Sequence, residues 1–143
     1  LEAQEMFKSI FTNYQSDGVL LYEEGPMKGM VNHTQFHLNN NMLMAMDSGV
    51  EQNFDFNESA SLVVECRNQE AIDYYWNSFI EKGGSPSKCG WLKDAFGFSW
   101  QIIPYNFDEL LFNSKNFNKS LENMLKMDKI IIADYSVLFS ILG

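Results

Sequence analysis

Basic residues, cysteines, prolines and long apolar runs are all scarce in this chain, and each shortage excludes a class of protein. Ten Lys and Arg stand against nineteen Asp and Glu, a formal net charge of -9. A surface that acidic repels phosphate backbones, so nucleic acid and anionic membranes are not expected partners, and a neutral or cationic ligand is better tolerated. The two cysteines, Cys66 and Cys89, give neither a CxxC pair nor a metal-finger spacing. They read as reduced, largely buried thiols of a cytoplasmic protein. No apolar run is long enough to span a bilayer and no signal peptide is visible. What is present is core-forming: 45% of the 143 residues are hydrophobic and 15% are aromatic, enough for one folded domain rather than a disordered chain.

The most informative stretch runs from Cys89 to Pro104. Residues 90–93 and 98–103 are rich in aromatic and branched side chains and read as two strands of a hairpin. Between them Asp94-Ala95-Phe96-Gly97 has turn chemistry, an Asp that can bond the backbone two residues on and a Gly free to take positive φ. Pro104, lacking an N–H, ends the second strand. Alternation puts Ser99, Gln101 and Ile103 on one face and Phe98, Trp100 and Ile102 on the other. A glutamine on a face otherwise fit for burial needs a partner or a cavity, which marks the place to look for a site.

Taken in order, residues 1–12 read as a helix with Ala3, Met6, Phe7, Ile10 and Phe11 on one stripe. A strand is expected over 18–23 and a loop over 25–29. Strands follow at 30–38 and 42–47, joined by a turn at Asn39-Asn40-Asn41. In the first of these, Val31, His33, Gln35 and His37 share a face opposite Asn32, Thr34, Phe36 and Leu38. Residues 48–57 form a loop whose Phe54 and Phe56 are expected to tuck back on the body. Ser61–Cys66 is a strand, and Asn68 caps a second helix running to about Lys82, stopped by Gly83-Gly84-Ser85-Pro86. Short helices near 107–113 and 117–126, a strand over 129–132 and a last helix over 133–141 complete the reading.

Glu2-Ala3, Phe7 and Phe11 repeat at a constant offset as Glu70-Ala71, Tyr75 and Phe79. The repeated unit is strand–helix–strands, and the opening strand of its first copy is expected before Leu1. Phe56-Asn57-Glu58, Leu62–Cys66, Gln69–Trp76, Gly83-Gly84, Cys89–Asp94, Phe96–Pro104 and the tail Met124–Ile130 together resemble the PhnB-like proteins. These carry the label 3-demethylubiquinone 3-methyltransferase domain, within the glyoxalase/bleomycin-resistance/dioxygenase (vicinal oxygen chelate) superfamily. The resemblance implies an α+β fold of two βαβββ modules with curled mixed sheets, a homodimer, and a single domain over 1–143. Its first module would span about 1–57, its second about 58–104, and a helical extension about 105–143.

In the superfamily's metalloenzymes a metal sits on side chains from the first, fourth, fifth and eighth strands. By the resemblance the fifth-strand histidine position falls on Ser61, the eighth-strand glutamate on Gln101 and the fourth-strand position within Met42–Met46. A hydroxyl, an amide and an apolar side chain do not replace imidazole and carboxylate ligands, so no metal and no cofactor is expected. Nor is there a glycine-rich strand-to-helix turn of the kind that holds a methyl donor. His33 and His37, four apart on a strand, would be roughly 13 Å apart, too far to share an ion. The expected function is therefore metal-free binding of a small organic molecule in an aromatic cleft. The alternative is an enzyme of unknown substrate, either a metal-dependent lyase or isomerase or a methyltransferase. The cleft candidates are Ser61, Val63, Glu65, Trp91, Ser99 and Gln101.

Overall fold

The computed structural model describes residues 1–112 and 117–133, and the fold is α+β. The chain divides into two compact units, Leu1–Asp55 and Phe56–Gly143.

The first unit is a helix, α1 (Glu2–Ile10), followed by three antiparallel strands in the order β1 (Tyr14–Leu21), β2 (Val31–Leu38), β3 (Asn41–Ala45). Met6 and Ile10 of the expected stripe are buried, and Phe7 stacks on Phe36 of β2 at 6.0 Å. Gln4 joins the buried face, which the apolar spacing did not foretell. Its amide donates to Thr34 Oγ1 at 2.9 Å, and that hydroxyl donates to the Gly18 carbonyl at 2.9 Å. A buried amide so partnered fixes the helix on both strands.

β1 begins four residues before the expected Gly18 and stops at Leu21 rather than Glu23. Tertiary packing overrides its polar sequence: Tyr14 stacks on Phe36 at 6.1 Å, while Gln15 and Ser16 pair with His37 and Phe36. The ladder skips Asp17 on β1 and Asn32 on β2, two bulges. The second bulge corrects the expected faces of β2. Val31 is buried with Thr34, Phe36 and Leu38, not exposed with His33. The Asn39-Asn40 turn has φ of 47° and 69°, the left-handed pair that a two-residue hairpin requires. Phe54 does not tuck in; it is 74% exposed, because the polar run before it offers no apolar neighbour. Phe56, in the second unit, is 60% exposed and meets Phe98 edge-on at 5.2 Å.

The second unit is a complete βαβββ module: β4 (Ser61–Cys66), α2 (Gln69–Glu81), β5 (Ser85–Pro86), β6 (Trp91–Lys93) and β7 (Ser99–Pro104). The strand order is β4-β7-β6-β5, with β4 parallel to β7 and the rest antiparallel. Asn68 caps α2 by accepting from Ala71 N at 2.9 Å. Ile72, Trp76 and Phe79 turn inward, and Phe79 lies 4.9 Å from the Trp100 ring. The turn at 94–97 is built as its chemistry predicts. Asp94, 4% exposed, accepts from Phe96 N, Phe98 N and the Trp100 indole at 2.9, 3.1 and 2.9 Å, and Gly97 sits at φ 84°.

α3 (Phe107–Phe112) and α4 (Phe117–Lys126) follow as expected. Residues 129–132 are not a strand. They form a strap whose backbone is held by a side chain: the Gln69 amide donates to Ile130 O at 3.0 Å, and its oxygen accepts from Ile132 N at 2.8 Å. Lys129 pairs with Asp73 at 2.7 Å, and Ile130 is fully buried. The expected last helix lies, past Ala133, outside the described residues.

Candidate functional site

Strand register decides which side chains share the face of the second sheet opposite Trp100 and Ile102. Ser85 pairs with Lys93, Lys93 with Ser99, and Ser99 with Ser61. These four form one row across β5, β6, β7 and β4. The adjacent row is Trp91, Gln101 and Val63, and beyond it Glu65 lies level with Ile103.

The rows are tied by specific bonds. Gln101 Nε2 donates to Ser61 Oγ at 2.9 Å, so the two positions the family resemblance singles out do touch, as amide and hydroxyl. Lys93 Nζ lies 2.7 Å from Glu58 Oε1. That hydrogen bond, with a backbone bond and the ammonium's charge, holds the Glu58 carboxyl below the usual carboxylate range.

A partly enclosed cavity of about 180 Å³ opens beside the first row, lined among others by Glu58, Ser85, Ser87, Trp91, Lys93 and Ser99. Ser99 is 1% exposed, and its hydroxyl has no hydrogen-bond partner among the described residues. A buried hydroxyl left without a partner costs free energy, so such groups are rare unless something else satisfies them.

Of the six expected residues, Trp91 and Ser99 line this cavity, and Ser61 and Gln101 pair beside it. Val63 is level with Gln101 and half-exposed. Glu65 faces a separate depression of about 420 Å³ with Arg67 and Tyr105. Lys93, Glu58, Ser85 and Ser87 were not expected at the site. One signal for them was present: the hairpin closes with Asp94 N donating to Phe98 O around residues 95–97, which places Lys93 opposite Ser99. Glu58 and Ser85 depend on chain paths that no local pattern encodes.

Neither thiol is set up as a nucleophile. Burial pushes Cys66 up to about 11, and it raises Cys89 too, with Lys88 only partly opposing. Among the described residues no three His, Cys, Asp or Glu side chains gather as metal ligands. Ser61 and Gln101 do not fit a transition-metal ion, since neither a neutral hydroxyl nor an amide supplies the anionic or imidazole donors it selects. The β4–α2 connection is Arg67-Asn68, with no glycine to let backbone approach a nucleotide-like methyl donor.

In the first unit His37 Nδ1 lies 3.2 Å from Asp17 Oδ2. His33 borders a wide depression of about 420 Å³ with Asp17, Leu20 and Gln35. No described helix is long and apolar enough to cross a membrane.

The 3-demethylubiquinone-9 3-methyltransferase family matches residues 1–103. Among solved structures, the PhnB protein from Bacillus cereus is 32% identical, with a TM-score of 0.65, covering 71% of this chain and 88% of its own. A Pseudomonas aeruginosa protein shares the fold at 17% identity and a TM-score of 0.60, covering 72% of this chain and 87% of its own. No curated protein matches.

Proposed function

We propose, from the premise that this chain belongs to the PhnB-like, 3-demethylubiquinone-9 3-methyltransferase family, that it binds a small organic molecule on the second sheet without a metal. The observation that carries this reading is the buried, unpartnered Ser99 hydroxyl under a cavity walled by Trp91. A polar group of that kind gains a hydrogen bond when a ligand arrives, and a flat aromatic wall gains buried area. The engineered cavity of about 150 Å³ that accepts benzene sets the scale, so the ligand part held here is on the order of ten non-hydrogen atoms. Gln101 supports the site from beside it, since its amide is engaged with Ser61.

The family description names a methyltransferase. In this chain the donor-binding turn of that chemistry has no counterpart between β4 and α2, and binding is the better-supported reading. The glyoxalase-superfamily relationship, a cytoplasmic location and a homodimer belong to the same proposal. Light scattering at micromolar concentration should give twice the 16.5 kDa chain mass, and a monomer mass would refute the dimer.

The test of function is a melting screen against a library of small polar aromatics, run on the wild type and on Trp91→Ala. A compound that raises the melting temperature of the wild type but not of the variant supports the reading. Stoichiometric transition metal in the purified protein, lost together with activity or stability on chelation, would overturn it in favour of the metalloenzyme.

A further inference from the structure

We infer that the cavity beside Ser99 takes a compact organic monoanion, an aromatic carboxylate in its simplest form, which displaces Glu58 from Lys93. This deepens the binding reading above and rests on it.

Among the described residues the one cationic group lining the cavity is Lys93, rooted on the inner strand β6 and level with Ser99. Ser85, Ser87 and Ser99 supply hydroxyls that donate to an oxyanion. Trp91 supplies the wall for a flat body. One ammonium matches one negative charge. A more highly charged ligand such as a phosphate dianion would need further cations, and a net charge of -9 opposes it.

Glu58 now occupies the ammonium, yet the two partners are held very differently. The Glu58 side chain is 64% exposed and comes from the turn before β4, whereas Lys93 is 36% exposed and fixed by the sheet. An ion pair that exposed adds little to stability, and a released Glu58 recovers its hydration in open water. A ligand carboxylate would gain the buried Ser99 hydroxyl, to which Glu58 makes no hydrogen bond. Glu58 is in this sense a resident competitor that keeps Lys93 paired until a ligand with a second acceptor arrives.

The test uses benzoate, with benzamide and benzylammonium as its neutral and cationic counterparts. Each is titrated against the full chain labelled with nitrogen-15, following the Trp91 indole N–H signal assigned by Trp91→Phe. Benzoate should shift that signal saturably, with a dissociation constant on the order of 1 mM for so small a probe. Glu58→Gln should tighten it several-fold. Lys93→Met should weaken it about tenfold or more and Lys93→Arg should restore most of the loss, with dispersed spectra showing both variants folded. Equal binding of benzamide or benzylammonium, or benzoate binding unaffected by Lys93→Met, would overturn the anion while leaving a small-molecule site standing. No shift with any of the three probes would overturn the inference, and if the library screen also fails, the binding reading falls with it.

Discussion

Two aspartates, one in each unit, gather donors, two at Asp17 and three at Asp94, and they do different things with them. Asp17 accepts from the Gln35 amide at 2.6 Å and the Gln15 amide at 3.1 Å, and the His37 ring lies 3.2 Å away without a hydrogen bond, the Asp17 side chain being 26% exposed. Asp94 collects two backbone N–H groups and the Trp100 indole at 4% exposure. On the first sheet the Gln15 and Gln35 amides are spent on Asp17, while the buried His37 Nδ1 keeps no hydrogen bond among the described residues. On the second, the carboxylate is spent on the turn and the core tryptophan, and the face beyond keeps a buried hydroxyl unpaired. Among the described residues each unit thus keeps one buried polar atom without a hydrogen bond, and of the two it is Ser99 that lines a partly enclosed cavity.

The contrast in burial predicts a contrast in cost. Asp94→Ala strands two backbone donors and an indole in the interior and should lose about 3–5 kcal/mol. Asp17→Ala, whose exposed Gln15 and Gln35 donors can turn to water, should lose about 1 kcal/mol or less. Denaturant unfolding of both variants checks this, and similar losses would erase the distinction. The next largest effect concerns the strap that packs on the second unit. Ile130 is fully buried, so Ile130→Ala should cost about 2–5 kcal/mol by the same measurement. A loss below about 1 kcal/mol would show that residues 127–132 lie loosely on the module.

A smaller effect separates the strap by pH. The Lys129 bond first, and the Gln69 bond second, hold the Asp73 carboxyl below its ordinary range. A carboxylate depressed in the folded state stabilises above its unfolded pKa, near 4, and loses that contribution as pH falls through the folded value. Half-exposed as it is, the pair should contribute less than about 1 kcal/mol. Lys129→Met should flatten the stability curve below pH 4 relative to wild type. The smallest prediction concerns rates only. At pH 8 a thiol reagent should modify partly exposed Cys89 first, and buried Cys66 only as the protein unfolds. Equal rates would show the β4 end to be open.

Elements whose chemistry is local were legible in the sequence. The Asn68 cap, the Asn39-Asn40 turn and the Asp94–Gly97 turn each depend on residues within four positions of one another. The start of β1 was not legible, because Tyr14 joins the ladder opposite Leu38 and stacks on Phe36 rather than being set by its own neighbours. The strap was read as a strand because Ile130-Ile131-Ile132 has strand composition. What holds it is Gln69, whose partners lie 61 and 63 residues away. The site was half legible for the same reason. Alternation along β7 pointed to Ser99 and Gln101, but Ser85 joins the row only through the order β4-β7-β6-β5, and Glu58 reaches it from outside the sheet through Lys93.

On the binding proposal, the Ser99 hydroxyl is surplus to the fold and available to a ligand. Ser99→Ala tests it in one unfolding experiment. If the hydroxyl is unpaired, its removal relieves a buried unsatisfied group, and stability should stay within about 0.5 kcal/mol of wild type or rise. Benzoate or any screened ligand should then lose its stabilising effect on the same variant. A loss of 1 kcal/mol or more without ligand, with ligand stabilisation unchanged, would show that the fold itself uses the hydroxyl and would contradict the account.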